Sequence, residues 1–131
     1  MIWSFLLYAD IVEKRMSKLP VLTKNYEFHR VYTKGRYAAS AFLVVYVLSN
    51  SYNNVRVGIT TSKKVGNSVK RNRMRRLIRE NLKLIKEQLK NGMDLVIVAR
   101  KSEDTVDLET IGKDLRYLLN KLDVLIEENN A

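Results

Sequence analysis

Hydrophobic residues recur along the chain with two distinct periods, and the period assigns most of the elements. Between residues 68 and 90, Met74, Ile78, Leu82, Ile85 and Leu89 are spaced four, four, three and four apart. That spacing puts them on one stripe of a long helix facing the core. A second stripe, Leu108, Ile111, Leu115, Leu118 and Leu122, predicts a last helix over residues 105–127. Residues 38–48, AASAFLVVYVL, alternate instead with period two. Phe42, Val44 and Tyr46 fall on one face of a strand, and Leu43, Val45 and Val47 on the other. Residues 49–54 are turn chemistry, and residues 55–61 (VRVGITT) alternate again, predicting a hairpin between the first and second strands. Residues 94–100 (DLVIVAR) are nearly all apolar, as suits a third, buried strand. Leu22, Tyr26, Phe28, Val31 and Tyr32 suit a short opening helix over residues 22–34, with Thr23 as N-cap, Glu27 in the early turns and Gly35 as the stop. The element order is therefore α-β-β-α-β-α, and the fold class is α/β: a small sandwich with helices covering one sheet.

The length of 131 residues supports one domain, assigned to residues 20–131. Residues 1–19 read as an N-terminal extension with a different charge balance, within which Met16 offers a second possible start. The alternative is an extra helix that packs Trp3, Phe5 and Leu6 on the domain. The apolar run at residues 2–8 is far shorter than the ~20 residues of a membrane span. It has neither a basic stretch before it nor a small-residue cleavage site after it, so a cytoplasmic protein with no membrane partner is expected. Cysteine is absent and histidine occurs once, as His29, which excludes disulfides, thiol catalysis and paired-imidazole metal sites. His29 lacks partners in sequence for a general-base role.

Charge changes the picture more than composition does. The net charge is +10, but sixteen Lys and Arg stand against one acid, Glu27, over residues 14–79, while residues 80–131 carry eight bases and eleven acids. Residues 63–79, KKVGNSVKRNRMRRLIR, hold eight Lys/Arg and no acid. A helix start bears a partial positive charge and favours anions, so each cation placed there costs a few tenths of a kcal/mol to ~1 kcal/mol. Like charges one turn apart, such as Arg71/Arg75 and Arg75/Arg79, add to that. A docked phosphate backbone reverses the sign of every one of these terms. A merely solvated helix face would intersperse the two signs, so the pattern predicts a nucleic-acid surface. Asn72 could bond a base edge or ribose hydroxyl, or serve as a local cap competitor. A metal-dependent nuclease would need clustered carboxylates beside that surface, and the acids lie elsewhere in the chain.

KKVGNSVKRNRMRRLIRE, residues 63–80, resembles the signature of the bacterial ribonuclease P protein component, whose hallmark is an Arg-Asn-Arg core flanked by lysines and arginines. LTKNYEFHRVYTKG, residues 22–35, resembles that family's opening helix, and DLVIVARK, residues 94–101, its late strand. The resemblance covers about residues 20–125 in the family's order. It implies an α/β sandwich with a left-handed βαβ crossover, and a role as the small subunit of a ribonucleoprotein that removes 5′ leaders from precursor tRNA. In that assembly the RNA subunit, with bound magnesium, hydrolyses the phosphodiester bond. The protein then holds no tightly bound cofactor and no catalytic residue, and its partners are the RNA subunit and precursor tRNA, with no obligate protein partner.

By motif position, the resemblance implies an RNA-subunit surface of Lys63, Lys64, Asn67, Lys70, Arg71, Asn72, Arg73, Arg75, Arg76 and Arg79. It implies a cleft for the single-stranded leader lined by Phe28, Tyr32 and Tyr46, with Phe42. Aromatic faces of this kind stack on unpaired bases, although ordinary core packing is the competing reading of each. The ending Glu127-Glu128-Asn129-Asn130-Ala131 stands where many members carry a basic tail. The rival function is a ribosomal or other structured-RNA-binding module with no leader cleft. The aromatic set discriminates: the first reading needs Phe28, Tyr32 and Tyr46 along one open groove, and the second has them enclosed.

Overall fold

A computed structural model describes residues 20–102 and 105–126 of the chain. The N-terminal extension, and with it the alternative of an extra helix bearing Trp3, Phe5 and Leu6, lies outside the described residues, as does the acidic ending. Four strands, β1 (Arg36–Ala39), β2 (Leu43–Ser49), β3 (Val55–Thr61) and β4 (Met93–Ala99), form one sheet in the order β1-β2-β4-β3. Three helices accompany it: α1 (Asn25–Lys34), α2 (Ser68–Ile85) and α3 (Leu108–Lys121). The α/β sandwich read from the sequence is present, with one more strand than the pattern predicted.

Two strand assignments need correction. Residues 38–48 are not a single strand, because the chain turns at residues 40–42 and β1 folds back antiparallel on β2. The turn contains neither Gly nor Pro. Ser40 makes it instead: its N–H donates to the Leu43 carbonyl, and its hydroxyl oxygen accepts from the Leu43 N–H. The second correction concerns the hairpin expected between residues 38–48 and 55–61. β2 and β3 are not neighbours, since β4 lies between them, antiparallel to β2 and parallel to β3. The reason is burial. Residues 93–97 of β4 are buried without interruption, which only a strand with ladders on both sides and cover on both faces permits. The Asn-rich turn straddles the start of β4, with Asn50 N–H donating to Gly92 O and Gly92 N–H to Asn54 O.

β2 distributes its side chains as the alternation requires. Leu43, Val45 and Val47 face a large aliphatic core shared with α2 and α3, while Tyr46 and Leu48 face a smaller cluster with Leu22, Val31 and Val96 beneath α1. The stripe of α2 is buried as expected at Met74, Ile78, Leu82 and Ile85; a 3-10 turn at Lys86–Gln88 follows, and Leu89 is buried beyond it. Helix α3 buries Ile111, Leu115 and Leu118, but Leu108 is exposed rather than core. It occupies the first helical position after the cap Asp107, and Val106, just before the cap, is buried in its place. α2 and α3 approach closely at Gly112, where a Cβ would lie 2.5 Å from Asn81 Oδ1. The buried Asn81 amide donates to the carbonyls of Leu77 and Leu108, so the polar group between the helices is satisfied.

Thr23 is not the cap of α1. Lys24 occupies the N-cap, and the Glu27 carboxylate accepts from the backbone N–H groups of Thr23 and Lys24. Upstream, the chain is laid along the outer edge of β3, with Leu22 N–H donating to Val57 O and Val57 N–H to Pro20 O. Among the described residues, no helix is long and apolar enough to cross a membrane.

Candidate nucleic-acid interface

The basic segment enters through a 3-10 turn at Lys63–Val65 and begins α2 at Ser68. Val65 and Met74 are buried and anchor the two ends of this stretch to the core. Between them the chain turns through Gly66 at φ +144°, a conformation that L side chains rarely adopt, and a Cβ there would meet the Lys70 side chain at 2.7 Å. Asn67 caps the helix, its Oδ1 accepting from Lys70 N–H at 3.0 Å. That oxygen is thereby committed to the helix start, and the amide N–H groups of Asn67 are what it has to offer an RNA.

The cations emerge on the side away from the core. Lys63, Lys64, Lys70, Arg73, Arg75, Arg76 and Arg79 are exposed, as is Asn72, and Arg71 is half-buried. Among the described residues none of these eight cations lies within salt-bridge distance of a carboxylate, whereas Lys83, one turn past Arg79, pairs with Glu80 at 3.6 Å. The Nε of Arg71 is buried without a hydrogen-bond partner. Lys70, Arg73 and Arg100 line a cleft of about 190 Å³ together with the apolar Val65, Met74 and Val106. Arg100 was missed from sequence because it follows a strand, 21 residues beyond the last arginine of the basic run. Its guanidinium donates to the Ser40 carbonyl at 2.6 Å.

The opposite sheet face carries the aromatic residues, and the strand register arranges them in three rows. The first is Arg56, Asp94 and Leu48; the second Gly58, Val96, Tyr46 and Tyr37; the third Thr60, Val98, Val44 and Ala39. α1 packs against β2 and β4, and three of its side chains reach β3, one in each row. Glu27 meets Arg56 in the first, and the Phe28 ring rests on Gly58 in the second, where a Cβ would lie 2.5 Å from it. Tyr32 reaches Thr60 in the third, hydroxyl to hydroxyl at 3.2 Å. Tyr32 also meets Tyr46 edge to face, with ring centroids 4.9 Å apart and planes at 80°. Beside the helix, Val44 and Val98 remain half-exposed and Ala39 exposed, leaving an open strip. Phe28 and Tyr46 are half-buried and Tyr32 is 36% exposed.

Phe42 does not belong to this set. It sits in the turn before β2 and packs against the α2/α3 core, on the other side of the sheet from Tyr46. The strand that was to place both rings on one face starts at Leu43, after Phe42. Tyr37 was missed for the same reason, because the sequence gives no sign that β1 exists as a separate strand.

The inner end of the rows is closed by an ion cluster. Arg56 donates from Nε and Nη2 to both oxygens of Asp94 at 2.8 and 2.7 Å, and from Nη1 to Glu27 at 2.8 Å. Asn50 adds a hydrogen bond to Asp94 at 2.7 Å, and the Tyr52 ring lies 4.6 Å from the guanidinium carbon. Burial works against the charged Asp94 carboxylate, but the bonds from Arg56 and Asn50 outweigh it and hold its pKa below the ordinary value. Glu27 is also lowered, chiefly by the Lys24 N–H, and Arg56 is raised, chiefly by its bonds to Asp94. His29 is exposed on α1. Among the described residues, no group of three His, Cys, Asp or Glu is placed to hold a metal ion.

Comparison with known proteins matches the ribonuclease P family model to residues 16–123. The chain is similar to the ribonuclease P protein component of Natranaerobius thermophilus, 41% identical over 110 residues that make up 84% of this chain and 96% of the relative. That of Clostridioides difficile is 42% identical over 106 residues, covering 80% and 93%. Among solved structures, the RNase P protein of Staphylococcus aureus superposes with a TM-score of 0.74 at 35% identity, over 82% of this chain and 98% of the other. The RNase P protein of Thermotoga maritima gives 0.70 at 27% identity, over 82% and 97%.

Proposed function

The chain belongs to the ribonuclease P protein family and is the protein subunit of that tRNA-processing enzyme, and from that premise we propose how its two surfaces divide the work. The face of α2 that bears Lys63, Lys64, Asn67, Lys70, Arg71, Asn72, Arg73, Arg75, Arg76 and Arg79 binds the RNA subunit, and Arg100 extends it across the cleft. Arg forks match phosphate oxygens in pairs, and the helix-start repulsion is relieved when they do. The strip beside α1 holds the 5′ leader of precursor tRNA, with Tyr32 and Tyr46 offering ring faces to unpaired bases and Phe28 fixing α1 against the sheet. Magnesium bound by the RNA subunit supplies the hydrolytic chemistry. This chain's residues orient the substrate across the scissile bond and perform no proton transfer.

The observation that carries the leader reading is that Tyr32 and Tyr46 touch each other at the margin of the smaller core cluster, beside an uncovered strip of sheet. The test is cleavage of precursor tRNA by the catalytic RNA at low magnesium, with and without the polypeptide, alongside binding of precursor and mature tRNA. Faster cleavage with tighter binding of the leader-bearing form is expected. Equal tightening of both forms favours a generic structured-RNA module, and no change in cleavage overturns the proposal.

A further inference from the structure

The aromatic row does not stop at Tyr46. Tyr37, on the edge strand β1, is the cross-strand partner of Tyr46, with ring centroids 5.6 Å apart and planes inclined by 34°. It is 66% exposed, the most open ring of the row. The outer side of β1 pairs with no other strand among the described residues.

Charge and shape decide what such a ring can hold. No Asp or Glu occurs between Glu27 and Glu80, and the other acid on this face, Asp94, is bound by Arg56. Lys34 is exposed at the end of α1, three residues before Tyr37. A polyanion laid along the strip therefore meets no described carboxylate free to repel it. The neighbouring row of Val44 and Ala39 is short in side chain, which leaves depth for a base beside the rings. The ring itself carries a hydroxyl that stays hydrated, unlike the aliphatic surface an apolar peptide requires.

We infer that Tyr37 is a further stacking platform for single-stranded RNA, adding one nucleotide position to the groove of Tyr32 and Tyr46. This rests on the leader reading above and makes a narrower claim. A base on Tyr37 is next in line to one at Tyr46, so the ring makes affinity depend on leader length beyond the reach of the inner two.

The test uses the holoenzyme reconstituted with its RNA subunit, and precursor tRNAs whose leaders grow one nucleotide at a time, with mature tRNA as reference. For Tyr37→Ala, the gain in affinity with length ends earlier than in the wild type, and the longest leaders lose about fivefold to tenfold. Short leaders and mature tRNA are unchanged, and Tyr37→Phe behaves as wild type. 5-Iodouridine walked along the leader gives a crosslink at one position that Tyr37→Ala removes. If Tyr37→Ala follows the wild-type curve while Tyr46→Ala departs from it, the assignment of Tyr37 falls and the leader reading stands. If both variants follow the wild-type curve, the leader reading falls too. An equal loss for mature tRNA, or a Tyr37-dependent dimer in sedimentation of the free protein, overturns the inference as well.

Discussion

Arg56 and Arg73 present the same guanidinium in opposite surroundings. Arg56 lies on β3 with its side chain 19% exposed, held by Asp94 on one edge and Glu27 on another. Arg73 stands exposed in the second turn of α2, with no carboxylate at salt-bridge distance among the described residues and with Lys70 and Arg100 sharing its cleft. The first arginine joins α1 to β3 and β4 and so fixes the wall of the aromatic strip. The second has no carboxylate partner among the described residues, and in the proposed assembly its partner is a phosphate. Sequence position cannot separate the two, but the whereabouts of the acids can.

Breaking the pair at Arg56 has the largest expected effect. Arg56→Met leaves Asp94 buried and unpaired, and costs about 3 kcal/mol of folding stability at neutral pH, read by urea denaturation. The salt dependence of RNA-subunit binding should not change. The same variant sharpens the comparison in acid. Glu27 and Asp94 titrate below their ordinary values, so the stability they supply is complete only above about pH 5, beyond the ordinary carboxylate range, and is lost as pH falls through their lowered folded values. The gap between wild type and Arg56→Met therefore narrows as denaturation is repeated from pH 7 down to pH 3. An unchanged gap would detach the cluster from the stability of the fold.

Arg73→Ala is the converse. It weakens binding to the RNA subunit roughly tenfold at low salt and shallows the log–log salt slope by about 0.9 or less, with the urea midpoint of the free protein unmoved. Equal slopes would deny Arg73 a phosphate. The smallest effect is a gain. Arg75→Gln removes like-charge contacts with Arg71 and Arg79 and raises the stability of the free protein by a few tenths of a kcal/mol, while weakening the complex. A free protein destabilised by that change would show that the cations of α2 already have partners within the chain.

The periodic elements were legible because a single face decides them. Met74, Ile78, Leu82 and Ile85 are buried where a 3.6-residue repeat puts them, and Leu43, Val45 and Val47 where a period of two does. Partnerships between strands were not legible, because alternation states which face is buried and is silent on which neighbour supplies the ladder. The break after β1 escaped notice because a serine hydroxyl, rather than Gly or Pro, closes the turn. Phe42 was placed on the wrong face, and Tyr37 went unread, for that one reason. Arg100 and the acids around Arg56 come from distant parts of the chain, and only the fold brings them to the residues they touch.

The two margins of the sheet have a consequence for the time before any RNA is bound. One margin is occupied at Val57 by the chain's own backbone at residues 20–22, and the other ends in a strand only four residues long. Open strand edges invite identical molecules to add themselves, and these two offer little to join. A polypeptide synthesised ahead of its ribonucleic partner thus presents its siblings with few open ladder positions at the ends of its sheet.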